Sequence, residues 1–162
     1  MNSSLKIFEI AKKFNAPIVY ASSSAVYGNL PFGDDTKNLV SISSPYAQDK
    51  LSLEHYAKVF FQLFKISSIG LRLFNVYGPG QSAKNAYASV IPIFIYNMLN
   101  KKKITINGGY QTRDFIYIKD VVKIMTKSML SLNTKKNCEV FNLGTGKSVS
   151  INYLFQIIKK IT

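Results

Sequence analysis

The chain has 162 residues, 21 Lys and Arg against 8 Asp and Glu, a net charge of +13, one Cys and no Trp. That length accommodates one ordinary domain with a core, and a chain 47% hydrophobic and only 18% charged lies outside the composition of disordered proteins. A single cysteine excludes a disulfide scaffold and a Cys-rich zinc site and points to a reducing, cytoplasmic setting; no apolar run reaches the ~18 residues of a membrane span.

Residues 3–14 read as a helix rather than a signal peptide, because Lys6 and Glu9 interrupt the apolar pattern. Ile7, Ile10, Ala11 and Phe14 recur there at helical spacing, opposite Lys6, Lys12 and Lys13. Ala16-Pro17 ends it, and residues 18–21 (IVYA) form a short strand of the buried parallel kind. A Ser-, Gly-, Asp- and Asn-rich loop runs from Ser22 to about Ser43. Ser44-Pro45 starts a helix as N-cap and first residue, with Leu53, Ala57, Phe60 and Phe64 as its core stripe. Residues 70–74 (GLRLF) form the next strand and residues 75–80 a loop, followed by a helix over 90–99, a basic turn and a strand at 104–106. A strand at 115–118 leads to a helix capped by Asp120 and carrying Val121, Ile124, Met125 and Met129. A strand at 140–143 precedes a last helix opened by Ser150, with Leu154, Ile157, Ile158 and Ile161. Helices alternating with short apolar strands imply an α/β fold with a mainly parallel sheet.

The cations are all Lys except Arg72 and Arg113, and they are scattered: Lys12-Lys13, Lys101 to Lys103, Lys135-Lys136 and Lys159-Lys160 fall in different segments. Nucleic-acid recognition favours clustered Arg, so the charge reads as diffuse surface and no nucleic-acid partner is expected. Tyr46 and Lys50 lie one helical turn apart, and an ammonium beside a phenol favours the phenolate, a device for proton transfer; the spacing also occurs between ordinary surface residues. Ser22, Ser23 and Ser24 end a strand, where ligand sites of open α/β sheets lie, although Ser runs also serve plain turns. Gly144 to Ser148 (GTGKS) resembles the end of a phosphate loop, but Phe141 stands where that motif needs Gly, and ATP binding is rejected. Arg113 either offers a fork to phosphate or carboxylate or pairs with its neighbour Asp114. His55 lacks a partner at ligand spacing and no metal is expected; Cys138 reads as a core thiol.

In order, ASSSAVYGN, SPYAQDK, GLRLFNVYGPGQ, YASVIP, ITINGGYQTRDFIYIKDVV and EVFNLGTGKSVSI resemble the extended short-chain dehydrogenase/reductase superfamily. Within it they are most similar to NAD-dependent nucleotide-sugar epimerases such as UDP-glucose and UDP-N-acetylglucosamine 4-epimerases. The resemblance implies a partial Rossmann-like parallel sheet flanked by helices (about residues 1–80), then a substrate-binding region interleaved with the remaining sheet (about 81–162). It implies NAD as cofactor and transient oxidation of a UDP-hexose to a keto-sugar. Tyr46 is the implied base; Lys50 would hold the ribose hydroxyls, Ser23 would bond the reacting sugar hydroxyl, and Ser22 and Phe74 would contact the cofactor. Ser24, Asn75, Ser89, Thr105, Asn107 and Arg113 are the implied further substrate contacts, with Asn75 and Arg113 on the diphosphate. Leu73 replaces the usual aromatic of LRYFN. Ser24-Ala25 replaces the Asp-Glu of the dehydratases, which disfavours dehydration. An ADP-heptose 6-epimerase, with Lys84 as a second base, is the alternative substrate class. Residues 1–40 hold only Gly28 and Gly33, without the family's GxxGxxG pyrophosphate turn. The chain therefore resembles the middle and rear of such an enzyme, either inactive by itself or a non-catalytic remnant. Relatives often form homodimers through a two-helix face, and residues 51–64 could supply one such helix.

Overall fold

The computed structural model describes residues 2–37, 39–85, 88–132 and 136–162; Lys135, and Tyr87 of the YASVIP block, lie outside them. The chain divides into two compact units, Met1–Phe74 with Val122–Leu143, and Asn75–Val121 with Gly144–Thr162.

The first unit carries α1 (Asn2–Phe14), β1 (Ile18–Ser23), α2 (Pro45–Phe64), β2 (Ser68–Leu73) and β5 (Cys138–Leu143). Its sheet has the order β1-β2-β5, parallel throughout, as strands joined by helical crossovers require. The core is built on Phe8, whose ring meets Tyr20 edge-on at 6.2 Å and Phe60 at 5.3 Å. Tyr20 pairs in register with Gly70, and a side chain at position 70 would collide with the Tyr20 ring. A glycine inside an otherwise apolar strand is thus fixed by its neighbour.

The apolar stripe expected on α1 is not the buried one. Phe8 and Ala11 are buried, whereas Ile7, Ile10 and Phe14 are 55%, 53% and 69% exposed. The helix carries apolar residues over more of its circumference than its packing uses, so spacing alone does not pick the face. Phe64 on α2 is likewise exposed. The strand expected at 18–21 continues to Ser23 and passes into a 3₁₀ turn at Ser24–Tyr27.

The second unit carries β3 (Asn75–Tyr77), α3 (Val90–Leu99), β4 (Thr112–Tyr117), β6 (Ser148–Ser150), α5 (Ile151–Ile161) and the first turn of α4 (Ile118–Leu132). β4 is central: β3 runs parallel to it and β6 antiparallel. Residues 75–77, expected as loop, are therefore a strand. Residues 104–106 are not: Ile104 and Ile106 pack against the Phe94, Ile151, Leu154 and Ile158 core without joining a ladder. Asp120 does not cap α4, which begins two residues earlier at Ile118, and it sits in the first turn, where a carboxylate still favours the helix dipole. Ile124 and Met129 on α4, and Ile157 and Ile161 on α5, face outward. Ser150 does cap α5, its Oγ accepting from the Tyr153 N–H at 3.1 Å.

Candidate functional site

In the first unit the candidate residues gather at the carboxyl end of β1 and the start of α2. Ser23, still extended, caps the 3₁₀ turn through its Oγ, which accepts the Ala25 N–H at 3.1 Å. Ser44 caps α2 by accepting from Ala47 N–H at 3.2 Å, with Pro45 in the first turn. That start places Tyr46 and Lys50 on adjacent turns: the Lys50 Nζ lies 5.7 Å from the Tyr46 ring centroid and donates to the Ala21 carbonyl at 2.8 Å. Tyr46 is 56% exposed. Phe74 is half-buried, its N–H donating to the Leu143 carbonyl at 3.1 Å.

Ser22 differs from its two neighbours. It is buried, and its hydroxyl donates to the Glu54 carboxylate. Glu54 follows Tyr46 and Lys50 at four-residue intervals and is held by Arg72 through two bonds of 2.9 and 2.7 Å. Arg72 also donates to Tyr27 Oη at 2.8 Å, and Tyr27 donates to Asn142 Oδ1 at 2.7 Å. Hydrogen bonding to Glu54, opposed by burial, holds the guanidinium firmly charged. Sequence reasoning missed this chain of contacts; its signal was a carboxylate among the apolar positions of α2 and an Arg inside the apolar β2.

The second unit encloses a cavity of about 340 Å3 lined by Asn75, Ser89, Thr105, Asn107 and Arg113, together with Gln111 and apolar walls that include Phe94 and Phe115. The substrate-contact candidates of this unit all lie on that one cavity, whereas Lys84, the second base of the alternative substrate class, does not line it. Ser89 occupies the N-cap position of α3 but makes no capping bond, and its buried Oγ has no partner among the described residues. A helix N-terminus with a free hydroxyl, beside an Arg and an amide, is suited to an anion. Asn75 Nδ2 donates to the Asp114 carbonyl at 3.0 Å, and Gln111 Nε2 to the Asn107 carbonyl at 3.1 Å. Thr105, Asn107 and Gln111 add uncharged donors and acceptors to the aromatic walls, a lining suited to a planar polar ring. Gln111 was not foreseen.

Arg113 does not pair with Asp114. Successive residues of a strand point to opposite faces: Arg113 is exposed and donates to the Thr112 carbonyl at 2.7 Å, while Asp114 is buried and accepts from Thr145 and Gly146. The loop resembling a phosphate-binding turn is thus filled by the chain's own carboxylate. His55 is exposed on α2. Cys138 packs against the first core, with Ser68 Oγ 3.4 Å from its sulfur.

A Methanocaldococcus jannaschii protein provisionally named a UDP-glucose 4-epimerase is 42% identical over 161 residues, covering 96% of this chain and 50% of that protein. The UDP-N-acetylglucosamine 4-epimerase from Methanobrevibacter ruminantium, solved in complex with UDP-N-acetylmuramic acid, superposes with a TM-score of 0.90 at 39% identity, over 99% of this chain and 52% of that one. The UDP-glucose 4-epimerase from Thermotoga maritima, solved with UDP-glucose, gives 0.86 at 30% identity, over 98% and 52%. The chain thus spans about half the length of these relatives. The sequence pattern of the NAD dependent epimerase/dehydratase family matches residues 1–144, and the chain belongs to that family.

Proposed function

We propose that this chain serves the 4-epimerisation of a UDP-hexose, with Tyr46, Lys50 and Ser23 acting on the sugar and the Asn75–Arg113 cavity holding the nucleotide diphosphate. The observation that carries this reading is the convergence of Asn75, Ser89, Thr105, Asn107 and Arg113 on one cavity, with a Ser89 hydroxyl at a helix start that has no partner among the described residues. Its cationic and helix-terminal part suits a diphosphate, and its uncharged polar and aromatic part suits a base. Ser24-Ala25 in place of an Asp-Glu pair favours epimerisation over dehydration.

The donor set fits the ribose side of NAD. The Lys50 ammonium carries three N–H donors and gives one to the Ala21 carbonyl, which leaves two for ribose hydroxyls. Ser22 is committed to Glu54, so Ser23 and Ser24 are the better candidates for contact with bound molecules. Bound NAD supplies the hydride acceptor and donor. Tyr46 takes the proton of the sugar hydroxyl and returns it, Ser23 bonds that hydroxyl, and the Lys50 charge stabilises the phenolate.

The exposed apolar stripes of α1 and α2 (Ile7, Ile10 and Phe14; Val59 and Leu63) support association of two copies through these helices.

The test has two parts. NMR titration of this chain with UDP should show binding, weakened about tenfold or more in Arg113→Ala. The full-length protein should interconvert UDP-glucose or UDP-N-acetylglucosamine with the 4-epimer, and Tyr46→Phe should cut kcat by about 10²–10⁴. Absence of UDP binding removes the nucleotide pocket. Turnover of ADP-heptose in preference to UDP-sugars replaces the substrate class.

A further inference from the structure

We infer that Asp114 is a positioning residue for the nucleotide pocket: from the opposite face of β4 it fixes the backbone that presents Arg113 and Asn75. The inference rests on the reading of that cavity as a diphosphate site.

Asp114 is only 7% exposed, and an unpaired carboxylate at such burial is costly. Here it is fully engaged. Oδ1 accepts from the Thr145 hydroxyl at 2.6 Å and from the Thr145 N–H at 3.0 Å; Oδ2 accepts from the Thr145 N–H at 2.9 Å and the Gly146 N–H at 2.8 Å. Gly146 adopts φ +74, a conformation that side-chain-bearing residues avoid and that helps the turn offer two consecutive N–H groups to one anion. Charge-assisted bonds of this kind are the stronger class of hydrogen bond.

Three consequences reach the cavity through the backbone. The clamp holds the turn just before β6, and so the register Asp114↔Ser148 and Arg113↔Val149. β6 runs directly into α5, whose first residue Ile151 lines the cavity and donates its N–H to the Gln111 carbonyl at 3.1 Å. The Asp114 carbonyl receives the Asn75 amide. The carboxylate does not line the pocket, yet it fixes the strand that carries Arg113 and that receives the Asn75 amide. Among the described residues Arg113 is anchored by a bond to the adjacent Thr112 carbonyl, so its aim depends on the strand beneath it.

The experiment titrates UDP and uridine against the wild-type chain, Asp114→Ala, Asp114→Asn, Arg113→Ala and the R113A/D114A double variant by NMR. D114A should weaken UDP about tenfold and uridine less than twofold, because the effect acts through the diphosphate contacts. The further loss caused by D114A in the R113A background should be clearly smaller than its loss in the wild type, the remainder acting through Asn75. Formate, a small carboxylate able to fill the vacated turn, should restore much of the UDP affinity of D114A. If D114A does not fold, D114N and Thr145→Val carry the same comparison. Equal losses for UDP and uridine, additive losses in the double variant, or unchanged UDP affinity overturn the inference while leaving the nucleotide pocket intact. A wild-type chain that binds no UDP overturns both.

Discussion

Two buried oxygens illustrate how differently one residue can be handled inside the same fold. Asp114 receives bonds from a turn built to meet it; the Tyr20 hydroxyl, pressed over Gly70, has no partner among the described residues. Burial, followed by the negative charge of Glu54, pushes the Tyr20 phenol well above its ordinary value. A phenol whose folded pKa is raised contributes stability that is fully present below the unfolded value of about 10 and is lost as the pH rises toward the folded value. Tyr20→Phe should therefore leave thermal stability at neutral pH unchanged or up to ~1 kcal/mol higher, since no hydrogen bond is removed. The same variant should unfold at a higher pH than the wild type in an alkaline titration followed by circular dichroism. A clear loss of neutral-pH stability in Tyr20→Phe would mean that the hydroxyl is bonded.

At the level of elements, what was legible in the sequence was local. The Ser44-Pro45 and Ser150 helix starts and the Tyr46–Lys50 face depend on neighbours within one turn. What was not legible depends on which elements meet. β3 and the absent strand at 104–106 were exchanged because ladder partners, not alternation, decide a strand. The buried face of α1 turned on Phe8 reaching Tyr20 and Phe60, and the ordered motif blocks pointed to the cavity residues where periodicity could not. The Glu54–Arg72 pair belongs to the same category, since it joins α2 to β2 across 18 positions. Both side chains are nearly inaccessible, at 3% and 9%. Removing one partner of such a pair strands a buried charge and costs about 3–5 kcal/mol, whereas replacing both by apolar residues is often close to neutral. Glu54→Leu and Arg72→Leu should each lower the denaturation midpoint sharply, and the double variant should recover much of the loss. Strictly additive losses in urea unfolding would show that the two groups contribute independently.

For the whole molecule, the net charge of +13 and the outward apolar stripes act against each other. Uniform positive charge repels a second copy, while Ile7, Ile10 and Phe14 on α1, and Val59 and Leu63 on α2, expose apolar area that is costly to leave in water. The charge is long-range and falls within a Debye length of about 8 Å at physiological salt, shrinking to ~3 Å at 1 M; the apolar term is not screened. Association through α1 and α2 should therefore strengthen as salt is added, the opposite of an assembly held by ion pairs. Analytical ultracentrifugation of the chain at low and high salt reads this directly: a monomer–dimer equilibrium should move toward dimer at high salt. Ile10→Asp or Leu63→Asp should return it to monomer while UDP affinity stays within twofold, because neither residue lines the cavity of the second unit. A monomer at every salt and concentration would remove the two-helix face as an interface. A dimer indifferent to both substitutions would place the contact on a different surface.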